Sequence, residues 1–285
     1  MRATRLTIAI AIVVVILPAT VAIIARSQLP GVGAGALLFP TRHRNMPPLP
    51  AGCVNRTFNG EGLTLDGWQC ASPAAVHRGT IVYLHGVADN RGSALTTIQR
   101  MLPKGFDVIA YDSRGHGASQ GDRCTYGYFE KRDLQRVLDQ LGVDNVILIG
   151  HSLGGAVALQ AAAVDRRVRA VVAASTFADL RSIATERAPS VFTPSLIEAA
   201  FERAEHDGQF VVDEVSPLRA AAEIHVPVLI VHGALDRDTR PAHSERVFAA
   251  LGGPKELLIV RDAAHNDALN SGAWTTVERW IDALR

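Results

Sequence analysis

The sequence is poor in the residues that build a disulfide scaffold or a structural metal site. Its 285 residues include only three cysteines, Cys53, Cys70 and Cys124. Three cysteines are too few to cross-link a disulfide-rich domain, and these three are not spaced as zinc ligands. We therefore expect no structural metal.

An excess of charge of one sign is also missing. Twenty-nine lysines and arginines face 28 aspartates and glutamates, which leaves a formal net charge of +1. Such a chain lacks the basic surface that binds a phosphate backbone, so nucleic acid is not an expected partner. Charged residues make up 20% and hydrophobic residues 48% of the chain, a composition typical of a folded core and not of a disordered protein.

One long uncharged run lies near the amino terminus. Leu6 to Ala25 contains 20 residues without a charge. As a helix rising 1.5 Å per residue, this run spans about 30 Å, the thickness of the hydrocarbon core of a bilayer. The sequence therefore predicts a single-pass anchor within residues 1–27. A cleaved signal peptide with Arg2 and Arg5 as its basic region is one alternative, and a buried core helix is another.

The charges that flank this run do not fix its orientation. Arg2 and Arg5 precede it, and three arginines follow it within residues 26–44. A leading anchor usually leaves the following domain outside the cytoplasm, where Cys53 and Cys70 could pair. Cleavage of a signal peptide would instead give a secreted protein.

The rest of the chain divides into a linker and one domain. Residues 28–55 are predicted to form a tether, because Gln28 to Pro50 holds five prolines and three glycines without a period of 2 or 3.6. Residues 56–285 alternate short β-branched runs with helical stretches, which predicts an α/β domain with a mainly parallel sheet flanked by helices. Residues 177–224 break this rhythm and predict a short helical lid.

Six strands and several helices are predicted within this domain. The strands are Thr80–Leu84, Phe106–Tyr111, Asn145–Ile149, Val168–Ala173, Val226–Val231 and Glu256–Val260. The helices are Ser93–Met101, Tyr128–Leu141, Leu153–Val164, Ala242–Ala250 and Ala273–Leu284, with Ser195–Ala204 in the lid. Ligands bind at the carboxyl ends of the strands in such sheets, so functional residues are expected directly after them.

A G-x-S-x-G motif follows the Asn145–Ile149 strand. Gly150-His151-Ser152-Leu153-Gly154 lies between this strand and an alanine-rich helical run, which is the arrangement of a nucleophile elbow. A second match centred on Ser119 opens no helix and is predicted to be a loop with turn glycines. The sequence thus indicates Ser152 as a nucleophile.

A serine nucleophile needs a base, and the base needs an orienting acid. Five histidines follow Ser152, and only His265 follows the last predicted strand. We therefore predict His265 as the base. The acid is expected after the preceding strand, where Asp236 lies nearer the strand end than the alternative, Asp238; either aspartate could instead cap the next helix.

An oxyanion requires two preorganised N–H donors. The amide of Leu153 directly follows the predicted nucleophile at a helix N-terminus. The second donor is expected in the loop after the Thr80–Leu84 strand, where Gly86 allows a turn. We predict the Val87 amide, with strand termination as the simpler role of this loop.

These motifs, in this order along the chain, resemble the α/β-hydrolase superfamily over residues 56–285. Within it, the chain is similar to a group of serine hydrolases that includes lysophospholipase-, monoglyceride lipase- and depalmitoylase-like proteins, several of them anchored at the amino terminus. The resemblance implies the α/β-hydrolase fold and carries the nucleophile, acid and base onto Ser152, Asp236 and His265. It implies oxyanion donors at Val87 and Leu153. The chain departs from many lipases because it has no Gly-Gly-Gly oxyanion run and its lid is short.

We therefore expect a cofactor-free serine hydrolase that cleaves carboxylic esters or thioesters of apolar acyl groups. The apolar lid residues and the predicted anchor favour a lipid-like substrate. An aminopeptidase of the same fold is an alternative, since the lid contains Glu186, Glu198, Glu202 and Glu205. A hydrolase-fold binding protein without catalysis is the other alternative.

Overall fold

The computed structural model describes residues 26–284. The uncharged run from Leu6 to Ala25 lies outside the described residues, so the anchor stays a prediction. Within residues 26–284, no helix combines the length and hydropathy needed to cross a membrane.

An eight-stranded sheet forms the centre of the described chain. Its strands are β1 Cys53–Asn59, β2 Thr64–Cys70, β3 Gly79–Leu84, β4 Phe106–Tyr111, β5 Val146–His151, β6 Val168–Ala174, β7 Val228–Gly233 and β8 Lys255–Val260. They lie side by side in the order β1-β2-β4-β3-β5-β6-β7-β8. Strands β3 to β8 are parallel to one another, whereas β2 runs antiparallel to both of its neighbours, β1 and β4. The predicted α/β fold class is confirmed.

Helices cover both faces of the sheet. They are α1 over residues 26–38, α2 Leu95–Met101, α3 Glu130–Leu141, α4 Leu153–Ala162, α5 Leu180–Arg187, α6 Pro194–Gly208, α7 Pro217–Ala221, α8 Pro241–Ala250 and α9 Ser271–Ala283. Helices α5 to α7 lie between β6 and β7, in the segment predicted as the lid.

The buried side chains form separate clusters on the two faces of the sheet. Successive residues of a strand point to opposite faces, so Val82 packs in the cluster with α3 and α4, and Tyr83 packs in the cluster with α2 and α9. A strand buried on both faces must be apolar throughout, which explains why β3 to β7 are recognisable in the sequence.

Strands β1 and β2 were not predicted. In β1 only the first and sixth residues are buried, so it lacks the continuous apolar pattern of the parallel strands. Its first residues also fall inside the segment predicted as a tether. The antiparallel register places Cys53 opposite Cys70, and the two cysteines form a disulfide.

The expected tether is wrong for much of residues 28–50. Residues 26–38 form α1, in which Leu38 is completely buried. The Leu38 carbonyl accepts a hydrogen bond from the Cys124 amide at 2.8 Å, and the Arg42 side chain donates to the Gly115 carbonyl at 3.1 Å. Local glycines and prolines suggest mobility, but these tertiary contacts hold the segment against the domain.

Close backbone packing fixes the start of α4. A Cβ atom added to Gly154 would lie 2.0 Å from the carbonyl oxygen of Leu84, at the end of β3. We expect Gly154→Ala to lower the free energy of unfolding by about 3 kcal/mol or more, because backbone cannot move aside as a side chain can. Chemical denaturation measures this change.

Gly155→Ala is the matched control, since its Cβ would lie 3.1 Å from the Thr176 side chain and no closer than 3.3 Å to any backbone atom, so that shifts of a few tenths of an ångström relieve the contacts. This second variant should lose about 1 kcal/mol or less. Equal stability of the two variants would contradict the packing argument.

Candidate active site

Ser152 lies in a strained turn between β5 and α4. Its backbone has φ 51° and ψ −112°, a conformation that residues with a side chain rarely adopt. The turn places the serine hydroxyl at the carboxyl end of the sheet, and the residue is 6% exposed. This is the geometry that the G-x-S-x-G motif predicts.

Ser152, His265 and Asp236 form a continuous hydrogen-bonded chain. His265 Nε2 lies 3.0 Å from Ser152 Oγ, and His265 Nδ1 lies 2.7 Å from Asp236 Oδ2. With the proton on Nδ1, the imidazole donates to Asp236 and accepts from the serine hydroxyl. The structure thus brings together three side chains that are separated by up to 113 residues in sequence.

The Asp236 carboxylate is held by donors on both oxygens. Oδ1 accepts from the backbone amides of Asp238 at 2.9 Å and Thr239 at 2.8 Å. Oδ2 lies 3.1 Å from His232 Nε2, in addition to its contact with His265. Burial by itself raises the pKa of this carboxyl, but the hydrogen bonds from His232, His265 and Thr239 outweigh it and hold the pKa below its usual value. Asp236 is therefore an anion at neutral pH.

Asp238 contributes its backbone to this arrangement. Its amide donates to Asp236, while the residue as a whole is exposed. Asp236, Asp238 and His265 carry donor atoms within 4.8 Å of one another and form a possible metal-binding group among the described residues. Since His265 Nδ1 and Asp236 Oδ2 already share a hydrogen bond, we interpret this group as an acid–base pair and not as an ion site.

The loop after β3 passes directly beside the nucleophile elbow. A Cβ atom on Gly86 would lie 3.1 Å from His151 Nδ1 and 3.6 Å from Ser152 Cβ. Val87 follows in this loop and lines the same pocket as Ser152. Leu153 is the first residue of α4, so its amide has no acceptor within the helix. Val87 therefore lies at the pocket that contains Ser152 and Leu153 directly follows this serine, and the use of their amides as oxyanion donors stays a prediction.

A polar pocket surrounds these residues, which we call the Ser152 pocket. It has a volume of about 660 Å³. Beyond Ser152 and His265, its charged and polar lining residues are His43, Asp89, His151, Glu186, Arg187, Arg237, Asp238 and Asn266. Acidic and basic groups are mixed here, so the pocket presents no strong field of one sign.

Two further side chains fix the backbone of His265. Ser175 Oγ–H and His151 Nε2–H both donate to the His265 carbonyl, each at 2.9 Å. Ser175 follows β6 and has the unusual φ of 51°. The rule that functional residues follow parallel strands could have identified Ser175, and His151 lies within the elbow motif itself.

The remaining candidates have structural roles. Ser119 Oγ donates to the Asp112 carbonyl at 2.6 Å and accepts from the Asp66 amide at 2.9 Å, so the second G-x-S-x-G is a loop, as predicted. His232 is completely buried, and its ring contacts Ser244 and the Thr239 carbonyl. Its contact with Asp236 was not anticipated from the sequence.

Comparison with known proteins defines the family. Residues 79–202 match the family described as alpha/beta hydrolase fold. The chain is 31% identical over 221 residues to the uncharacterized protein YqkD of Bacillus subtilis, covering 72% of each chain. It is 28% identical over 219 residues to the uncharacterized protein YfhR of Escherichia coli K12, covering 74% of this chain and 72% of that protein. The chain belongs to the alpha/beta hydrolase fold family.

Solved structures share the same fold. An esterase from Pyrococcus furiosus superposes with a TM-score of 0.64 at 20% identity, covering 86% of this chain and 95% of the esterase. An acylaminoacyl peptidase from Pyrococcus horikoshii gives a TM-score of 0.62 at 16% identity, covering 81% of this chain and 41% of the peptidase. At these identities the likeness is one of fold.

Proposed function

We propose that this protein is a serine hydrolase that cleaves carboxylic esters or thioesters of apolar acyl groups through an acyl-enzyme intermediate. The observation that carries the proposal is the hydrogen-bonded chain from Ser152 through His265 to Asp236. A binding protein without catalysis does not require a serine in a strained backbone conformation that is hydrogen-bonded to an oriented imidazole. The proposal places this chain near the lysophospholipase, monoglyceride lipase and depalmitoylase group.

In the acylation step, Ser152 Oγ attacks the carbonyl carbon of the substrate. His265 Nε2 takes the hydroxyl proton, and Asp236 stabilises the imidazolium that forms. The carbonyl oxygen becomes an oxyanion, to which the Val87 and Leu153 amides donate. Collapse of this intermediate expels the alcohol or thiol, which receives the proton from His265 Nε2.

Deacylation repeats the sequence with water as the nucleophile. His265 Nε2 removes a proton from the water as its oxygen attacks the acyl carbon. The same two amides stabilise the second oxyanion. When Ser152 Oγ leaves, His265 returns the proton to it, and the carboxylic acid is released.

An amide substrate is the second candidate, and one observation favours it. Glu186 is a lid residue that lines the Ser152 pocket together with Asp89, and its carboxylate lies 3.3 Å from His243 Nε2. A carboxylate in this position could hold the amino group of a peptide. Of the other lid glutamates, Glu198 pairs with Arg181 and Glu205 accepts from the Val212 amide.

We further propose that the uncharged run anchors the protein with its hydrolase domain outside the cytoplasm. The disulfide between Cys53 and Cys70 supports this location, because such bonds persist in oxidising compartments. Secretion after cleavage of the run is the alternative. The amino-terminal sequence of the mature protein distinguishes the two, since cleavage would give a new terminus between Gln28 and Val54.

Substrate preference tests the proposed bond type. We expect the full-length protein, purified in detergent, to hydrolyse p-nitrophenyl esters with a higher kcat/KM than aminoacyl-nitroanilides, with the highest values at short to medium acyl chains. The reason is that an amine leaving group is poor and must be protonated in place. Acyl thioesters and monoacylglycerol belong in the same comparison. Faster cleavage of the anilides than of every ester would contradict the ester proposal and support the amide alternative.

A further inference from the structure

A second, apolar cavity lies between α1 and the lid, and we call it the lid cavity. Its volume is about 310 Å³, within the range of about 300 to 1,000 Å³ that small-molecule sites occupy. Helix α1 contributes Val32, Ala36 and Leu37 to its wall, and the lid contributes Leu180, Ile183 and Phe201. Such a cavity suits a hydrocarbon ligand.

The lid cavity adjoins the Ser152 pocket. Arg187 lines both, and its guanidinium is fixed by hydrogen bonds to the Asp238 carbonyl at 2.7 Å and to Thr239 Oγ1 at 3.1 Å. Only Tyr126 and Arg187 bring polar side-chain atoms to the described lining of the lid cavity. A ligand that spans both spaces therefore needs a polar end at Ser152 and an apolar chain beyond Arg187.

Helix α1 packs tightly against the lid. A Cβ atom added to Gly33 would lie 2.9 Å from both Ala200 Cβ and the Phe192 ring. The chain that follows α1 also reaches the Ser152 pocket, where His43 is a lining residue. The segment that joins the uncharged run to the domain thus contributes to both spaces.

The edge of the lid cavity carries exposed apolar side chains. Val32, in its wall, is 60% exposed, and Val191, next to the lining residue Phe192, is 58% exposed. The described part of α1 covers residues 26–38 and follows the run from Leu6 to Ala25 in the sequence. Apolar residues exposed beside such a run are suited to contact with the apolar part of a bilayer.

We infer that the lid cavity binds the acyl chain of the substrate and that α1 forms its membrane-facing wall. The inference rests on the proposed function and adds that residues 26–38 help to select the acyl chain. A chain whose ester carbonyl lies at Ser152 would pass Arg187 and enter the lid cavity. Lipid acyl chains would then reach the site past α1.

Filling the lid cavity from either wall tests the inference. Ala36→Phe adds a ring from α1, and Ala184→Phe adds one from α5, since both alanines line the cavity. We expect each variant of the full-length protein to lower the ratio of kcat/KM for p-nitrophenyl octanoate over p-nitrophenyl acetate by about tenfold or more, because the added ring occupies space that the octanoyl chain needs and the acetyl group does not, and each methylene excluded from an apolar pocket costs about tenfold or more. A ratio measured within one variant is independent of the fraction that folds.

Gly35→Phe is the matched control, because a Cβ atom at Gly35 meets no other atom within 4 Å. It should keep the octanoate-to-acetate ratio of the natural protein. The inference is overturned if the natural protein hydrolyses both esters and both cavity variants leave the ratio unchanged. Should Ala184→Phe alone lower it, the role of α1 would be rejected. If the natural protein hydrolyses neither ester, the proposed function itself fails.

Discussion

Ser152→Ala is expected to reduce kcat by about a millionfold, and His265→Ala by a similar factor, without loss of the fold. The serine oxygen forms the covalent bond with the substrate, and the imidazole 3.0 Å away accepts the serine proton. Neither side chain therefore supports catalysis without the other. The double variant should therefore be no slower than either single variant. Ester hydrolysis under single-turnover conditions measures these losses.

The outcome that would contradict this assignment is substantial turnover in Ser152→Ala. Thermal unfolding is the control for structure. Both residues lie at the carboxyl ends of the strands and outside the hydrophobic core clusters, so their replacement should leave the core packing intact. A melting temperature close to that of the natural protein would show that lost turnover comes from lost chemistry.

The two aspartates after β7 are expected to differ greatly. Asp236→Asn should lower kcat by about ten-thousandfold, because an amide at this position no longer stabilises the imidazolium and favours the wrong tautomer of His265. Asp238→Asn should change kcat by about threefold or less. The exposed charge of Asp238 is screened by solvent, and its hydrogen bond to Asp236 comes from the backbone amide, which the substitution keeps.

Asp238→Asn serves as the matched control for Asp236→Asn, as both replace an aspartate in the same turn. The comparison requires the same ester and the same pH for all three proteins. A severe loss in Asp238→Asn with a mild loss in Asp236→Asn would transfer the acid role to Asp238.

Sequence patterns predict the parallel strands and the candidate site because both leave a signal in residues that are neighbours in the sequence. Strands buried on two faces are apolar throughout, and the side chains that follow them meet at one sheet edge. This rule placed Ser152, Asp236 and His265 together, and the structure brings them within hydrogen-bond distance. Their catalytic roles stay predictions until they are measured.

The features that the sequence did not predict depend on tertiary contacts. Helix α1 lies in a segment rich in proline and glycine, and its packing on the lid together with its hydrogen bond to Cys124 shows that it is part of the domain. Ser175 follows the parallel strand β6, so its position could have been marked, but its role follows only from the 2.9 Å contact with the carbonyl of His265. Neither relationship has a spacing along the chain that a pattern could detect.

Covalent labelling tests the central claim most directly. A fluorophosphonate probe reacts with a serine that an adjacent base activates, and it requires no knowledge of the natural substrate. We predict that the natural protein takes up one probe per chain and that peptide mass spectrometry finds it on Ser152. Ser152→Ala should take up none. Unlabelled natural protein, or a probe bound to a different serine, would contradict the proposal that Ser152 is the nucleophile.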